Sequence, residues 1–224
     1  MLELIDAVAL GAALATIVTI LTTQADISWN ARRWAIAGML AWTASIVGAA
    51  ATGHFTPGTP GIVIAPPAIF AVAAATLFAA WVFSPQFRGA MLSIPLQAIV
   101  GLNVLRVLGV FFVIQYFAHA LAAPFGPVAG LGDTITGLLA IPLAISIARG
   151  SSRKSSVAWW NAFGTLDLFT ALTLGALSPG LTAMTQLPSV IVPAILVPIY
   201  LLMHLTVAYR LGQAPARQAA HAGI

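Results

Sequence analysis

The chain has 224 residues, of which 60% are hydrophobic and only 6% carry a charge. A soluble globular domain carries about 25% charged residues, so this composition excludes a water-exposed fold and favours the lipid bilayer as solvent. The net charge of +4 is spread over short segments without a basic block, which argues against nucleic-acid binding, and the absence of cysteine excludes disulfides, thiolate metal sites and cysteine nucleophiles.

Hydropathy predicts seven transmembrane helices that use nearly the whole chain. They lie near Leu4–Leu21, Trp34–Ala51, Ala68–Phe83, Ser93–Phe117, Val128–Ala148, Val157–Leu177 and Ser189–Ala208. The first is predicted to be a permanent span, because Glu3 and Asp6 stand where a signal peptide carries basic residues. Only helices or closed barrels satisfy the backbone in lipid, and runs without alternation exclude a barrel. We expect an all-α integral membrane protein with one polytopic domain over 1–209 and a short cytoplasmic tail at 210–224.

Basic residues fall in alternate connectors between these spans. The first, third and fifth connectors and the tail hold eight of the nine Lys and Arg residues, namely Arg32, Arg33, Arg88, Arg149, Arg153, Lys154, Arg210 and Arg217. The second, fourth and sixth connectors hold none. The positive-inside rule therefore predicts cytoplasmic odd connectors, a cytoplasmic C-terminus and an outside N-terminus. The predicted location is the inner membrane of a bacterial cell.

Arg106 is the basic residue that this orientation does not explain, because it lies within the apolar run Leu96–Phe117. A guanidinium in hydrocarbon costs ~2.5 kcal/mol or more unless it has a partner or water. At 1.5 Å per residue, Arg106 and Asp167 are each predicted about 15 Å from a membrane surface, whereas Asp133 is predicted only about 7 Å deep. Asp167 is therefore the expected partner of Arg106, with Asp133 second.

The predicted spans of Arg106 and Asp167 each contain an asparagine as well. These four residues together allow two interpretations. Asn103 lies one turn before Arg106, and Asn161 lies six residues before Asp167. In a functional pocket between spans four, five and six, Arg106 would hold an anionic group or a regulatory ion pair, and Asp167 would balance it or carry a proton. Asn103 and Asn161 would then orient the ligand. The same groups could instead form a buried ion pair and interhelical hydrogen bonds that fix helix packing.

Asp133 also allows other roles. It follows two glycines in the segment Gly130–Thr134 (GLGDT), which lacks the lysine of a phosphate-binding loop, so an N-terminal helix cap is favoured over an anion cradle. His54 and His119 fall on the predicted outer side. Together with Asp133 they are weak candidates for a metal site, since no ligand spacing supports one.

The sequence requires no cofactor. His204 is predicted four residues from the inner end of the seventh span, without a second histidine at its depth, which disfavours bis-histidine haem. Retinal bound as a Schiff base needs a lysine in the last span, and the only lysine, Lys154, lies in a connector. No G-x-S-x-G motif is present, so an enzyme is less favoured than a non-enzymatic protein.

The leading hypothesis is a membrane protein that binds or transports a small molecule or ion through a polar pocket between spans four, five and six. The second is an accessory or structural subunit of a larger membrane complex, favoured by the many small residues suited to close helix packing. The third is an intramembrane enzyme or redox protein. Expected partners are membrane lipids and either further copies of the chain or other subunits of a complex.

Overall fold

A computed structural model describes residues 2–56, 66–178 and 182–222, and every regular element within these ranges is helical. The helices are α1 (Leu2–Gln24), α2 (Trp29–Ala51), α3 (Pro66–Phe83), α4 (Pro85–Ser93), α5 (Leu96–Leu102), α6 (Val110–Phe117), α7 (Phe125–Ala148), α8 (Lys154–Leu177) and α9 (Val197–Ala222). A 3₁₀ segment, Asn103–Gly109, joins α5 to α6, and a π-helical turn, Val192–Leu196, precedes α9. The all-α prediction is confirmed for the described residues.

Among the described residues, five helical stretches are long and apolar enough to cross a membrane: Leu4–Gln24, Trp29–Ala51, Leu96–Phe117, Phe125–Ala148 and Val192–Gln213. The predicted third span, α3, is long and apolar enough only when it is combined with α4. The two helices meet at a bend of 96°. The predicted sixth span, α8, has 24 residues but is less apolar, because it contains Asn161 and Asp167. The fold therefore has five candidate spans, or up to six with the bent pair, and the count of seven stays a prediction.

The span that carries Arg106 is not a uniform α-helix. It begins at Leu96 rather than at the predicted Ser93, because Ser93 ends α4 and Pro95 interrupts the hydrogen bonding. From Asn103 to Gly109 the chain tightens into a 3₁₀ segment of about three residues per turn. Arg106 lies in the middle of this segment, so its direction differs from that expected on a continuous α-helix.

Proline shapes the start of the last span. Pro198 has no N–H to donate to the carbonyl of Ala194. The indole N–H of Trp42 donates to that carbonyl instead, at 3.1 Å, and so fastens α2 to the last span. The N–H of Val197 donates to Val192, five residues back, which is the hydrogen bond of a π-helical turn.

The last helix is longer than hydropathy predicts. The seventh span was predicted to end at Ala208, whereas α9 continues to Ala222. The predicted tail at 210–224 is therefore helical through Ala222, and its last two residues lie outside the described residues. As a consequence, His204 lies within a helix and not near its end.

Three arginines of the predicted cytoplasmic segments bind main-chain carbonyls near helix C-termini. The contacts are Arg32 to Thr22 in α1 (2.8 Å), Arg88 to Val82 in α3 (3.2 Å) and Arg210 to Leu92 in α4 (2.6 Å). A cation at a helix C-terminus complements the helix dipole. These arginines therefore have a structural role in addition to any effect on membrane orientation.

Candidate functional site: a buried Arg–Asp–His cluster

Arg106 is bound by two aspartates at once. Its Nε lies 2.7 Å from Asp133 Oδ1, and its Nη2 lies 2.5 Å from Asp167 Oδ2. The three side chains come from the 3₁₀ segment, α7 and α8, and they are only 1%, 15% and 7% exposed, respectively. The expected contact between Arg106 and Asp167 is present. Asp133, which its predicted depth had made the second choice of partner, binds the guanidinium as well.

Asp133 reaches Arg106 because α7 begins earlier than predicted. The helix starts at Phe125 and not at Val128, so Asp133 lies about 12 Å along α7 instead of about 7 Å. The residue at the N-cap position is Pro124. The prediction that Asp133 caps this helix was therefore wrong, because hydropathy locates the apolar run and not the first hydrogen-bonded turn.

The remaining side of the guanidinium is bound by His204 and a main-chain carbonyl. Arg106 Nη1 lies 2.9 Å from His204 Nε2 and 3.4 Å from the Gly164 oxygen. A guanidinium can only donate, so Nε2 is the acceptor and the ring proton belongs on Nδ1. Nδ1 lies 2.9 Å from Asn161 Oδ1, an acceptor that fits this tautomer. The hydrogen bonds thus define His204 as neutral.

Sequence reasoning missed His204 as a member of the site. The histidine is buried in α9, one helical turn after Tyr200. The Tyr200 ring centre lies 5.6 Å from Arg106 Cζ, close enough for a cation–π contact. A histidine and a tyrosine on one face of an apolar helix were the signal available in the sequence.

Trp160 supports the histidine from α8. Its ring centre lies 5.1 Å from that of His204, with the two planes tilted by 34°. The indole N–H donates to the Thr136 carbonyl of α7 at 3.1 Å. Trp160 therefore links α7 and α8 and restricts the orientation of the imidazole.

Asn103 does not join these contacts, although it was predicted to orient a ligand beside Arg106. It is fully buried at the start of the 3₁₀ segment, and its Nδ2 donates to the Ile99 carbonyl at 3.0 Å. Its Oδ1 has no hydrogen-bond partner among the described residues. Asn161, in contrast, lies in the cluster through its contact with His204.

Glycines let the helices of the cluster approach closely. A Cβ at Gly132 would overlap the Asp167 carboxylate, and one at Gly164 would lie 2.6 Å from His204 Cε1. Small residues are the usual means by which membrane helices come into close contact. The glycines of the Gly130–Thr134 segment thus serve helix packing, since they lie inside α7 and not at a helix start.

Gly132→Ala is expected to destabilise the protein by about 1–3 kcal/mol, because the new methyl group displaces Asp167 from Arg106. Thermal unfolding of the purified protein in detergent measures the effect. Gly38→Ala is the control, since a Cβ at Gly38 meets no atom within 4 Å. Similar unfolding temperatures for the two variants would contradict the packing described here.

A small cavity extends from Arg106 and Asp133 to Asp6 on α1. Its volume is about 30 Å³, and Tyr200 also lines it. This volume accommodates about one or two water molecules. Asp6 is buried, and Gln115 Nε2 lies 3.4 Å from its Oδ2. Asp6 on α1 is thus a third carboxylate, and it lines the same cavity as Arg106 and Asp133.

The described residues contain no group of three or more His, Asp or Glu side chains that could hold a metal ion. His54 and His119 therefore do not form such a group with Asp133, whose carboxylate binds Arg106. The predicted metal site at these residues has no structural support.

The chain belongs to the family described as Domain of unknown function (DUF8737), which matches residues 63–212. The matched segment contains the whole Arg106 cluster, which consists of Arg106, Asp133, Asn161, Asp167 and His204, whereas Asp6, α1 and α2 precede it. No curated protein and no solved structure matches the chain.

Proposed function

We propose that this member of the family binds and conducts a proton or a small monovalent cation at the Arg106 cluster. The observation that carries the proposal is the charge balance of the cluster. One guanidinium contributes +1, Asp133 and Asp167 contribute −2, and His204 is neutral by its hydrogen bonds, so the sum is −1. A net charge in a buried site is costly. One bound proton or monovalent cation makes the cluster neutral.

The engagement of Arg106 favours a cation over an anion. Each of its three nitrogens, Nε, Nη1 and Nη2, is bound by a protein acceptor. An anionic ligand would have to displace Asp133, Asp167 or His204 from the guanidinium. A cation, in contrast, can bind the carboxylates while these contacts persist.

The small cavity supports a route to the cluster. Asp6, Asp133 and Arg106 line it, so two carboxylates and one guanidinium leave the cavity wall with a net negative charge that attracts a cation. Asp6 lies in the first turns of α1, and its neighbour Gln115 lies at the end of α6. In the proposed orientation both helix ends face the outside, and a cation would enter past Asp6.

The proposed topology has seven spans, with the N-terminus outside and the C-terminus in the bacterial cytoplasm. To the five candidate spans it adds α3 and α8. The bend of 96° between α3 and α4 supports α3 as a span, with α4 lying along the cytoplasmic surface. The modest hydropathy of α8 is compatible with a span, because Asn161 and Asp167 are buried within the protein and not exposed to lipid.

Reconstituted vesicles loaded with a pH-sensitive or Na⁺-sensitive dye test the proposal. The wild-type protein should allow gradient-driven movement of protons or Na⁺ above that of empty vesicles. Asp6→Asn should slow this movement several-fold, because it removes a carboxylate from the cavity wall. Asp26→Asn, at an exposed position before α2, is the matched control and should behave as wild type. Movement of neither ion by the wild-type protein would contradict the proposal.

A structural subunit of a larger complex is the second candidate. It is favoured by the four contacts of Arg106 with protein acceptors and by the close approach of α8 to Gly132. Gentle purification from native membranes distinguishes the two functions. A constant set of co-purifying subunits would favour the structural role, whereas the protein alone or as a homo-oligomer would favour ion binding.

A further inference from the structure

A large apolar cavity lies apart from the Arg106 cluster, between α1, α2, α3, α4 and the last span. Its volume is about 570 Å³, within the range of about 300–1,000 Å³ typical of small-molecule sites. Apolar side chains form nearly all of its wall, among them Ile17, Trp42, Leu77, Phe87 and Ile199. No member of the Arg106 cluster lines it, so it is a separate site.

The few polar groups on this wall are largely engaged. The hydroxyls of Thr22 and Thr76 donate to carbonyls of their own helices. The indole N–H of Trp42 donates to Ala194. The body of the cavity therefore suits a hydrocarbon chain, which needs no hydrogen-bond partner.

Two arginines bind residues at one end of the cavity, although neither arginine lines the cavity itself. Arg32 Nε donates to the Thr22 carbonyl at 2.8 Å, and Arg210 Nη2 donates to the Ile94 carbonyl at 2.6 Å. Thr22 and Ile94 both line the cavity. In the described part of the chain, both Nη groups of Arg32 and Nη1 of Arg210 lack a protein partner. Asp26, in the connector before α2, is exposed and forms no ion pair with either arginine among the described residues, so it does not neutralise the two guanidinium groups.

An apolar cavity with two arginines beside one end fits an amphiphile that has a hydrocarbon chain and an anionic head group. Basic pockets between membrane helices commonly bind the head groups of anionic lipids. Trp34 also lines the cavity, and tryptophan is the residue typical of the head-group level of a bilayer. We infer that this cavity binds one acyl chain of an anionic phospholipid whose phosphate contacts Arg32 and Arg210.

Gly38→Phe tests the position of the acyl chain. Gly38 lines the cavity and a Cβ there meets no atom within 4 Å, so a phenylalanine at this position is expected to fill part of the cavity. Gly48→Phe is the matched control, because Gly48 lies on the same helix, has equally open space and does not line the cavity. The readout is native mass spectrometry of the purified protein after incubation with phosphatidylglycerol in detergent.

Wild type and Gly48→Phe are expected to retain one phosphatidylglycerol, and Gly38→Phe is expected to bind it about tenfold more weakly. Equal retention by the three proteins would overturn the inference. Thermal unfolding of each variant, measured in parallel, distinguishes a filled cavity from a misfolded protein. If Gly38→Phe does not fold, the head-group test below decides the inference.

Arg32→Gln tests the head group. The wild-type protein should retain phosphatidylglycerol in preference to phosphatidylcholine, and Arg32→Gln should reduce this preference several-fold. Arg149→Gln is the control, since Arg149 is exposed in the connector between α7 and α8. Equal retention of the two lipids by the wild-type protein would overturn the inference. Neither outcome depends on ion movement through the Arg106 cluster.

Discussion

Arg106→Leu is expected to lower the free energy of unfolding by about 3–5 kcal/mol, because it leaves two buried carboxylates without their common partner. Asp133 and Asp167 would then lie close together, each having lost its contact with the guanidinium. His204 would lose its hydrogen bond to Nη1 as well. In reconstituted vesicles the same variant should no longer move protons or Na⁺, since the carboxylates would no longer be held in place.

Arg149→Leu is the control for this experiment. Arg149 is exposed and forms no ion pair among the described residues, so its removal should change the free energy of unfolding by less than about 0.5 kcal/mol. Unfolding of both proteins by denaturant or heat in the same detergent provides the comparison. If Arg106→Leu were as stable as Arg149→Leu, the buried ion pairs described here would be refuted. If it still moved ions at the wild-type rate, the proposed function would be refuted.

Replacing one of the two aspartates should affect the stability of the protein much less than replacing both. Asp133→Asn or Asp167→Asn leaves one carboxylate for one guanidinium, so the cluster becomes neutral without a bound cation. Each single variant should therefore keep its stability within about 1.5 kcal/mol of wild type, because the asparagine still accepts a hydrogen bond from Arg106. Ion movement should be lost in both, since the uncompensated negative charge is gone.

The double variant Asp133→Asn, Asp167→Asn should lose about 3–5 kcal/mol of stability, because Arg106 is then a buried charge without a counterion. A double-mutant cycle over the wild-type, single and double variants measures this non-additivity. If each single variant were as unstable as the double one, the cluster would act as a structural ion pair. Full ion movement in either single variant would contradict the charge argument directly.

The apolar spans and the Arg106–Asp167 contact could be predicted because both depend on position along one axis. Hydropathy counts how many consecutive residues prefer lipid, and a helix advances about 1.5 Å per residue whatever it packs against. Arg106 and Asp167 were placed at similar depth by this count alone. Their contact then follows, because a buried charge without a partner is costly.

The rest of the cluster depended on helix ends and helix rotation, which hydropathy does not report. The early start of α7 moved Asp133 deeper than predicted, and the extension of α9 to Ala222 moved His204 away from a helix end. The 3₁₀ segment changed the direction of Arg106. The first two changes alter the position of a side chain along its helix, and the third alters the direction in which the side chain points.

The sequence by itself determined the helical class of this protein, the presence of helices long and apolar enough to cross a membrane, and a charge in one of them that required a partner. Composition and depth suffice for these features, because they follow from transfer free energies that each residue carries with it. Only the tertiary structure decided that Arg106 binds two aspartates and a neutral histidine. That arrangement requires several helices to meet at one point, and it leaves the unbalanced negative charge from which an ion-binding function is proposed.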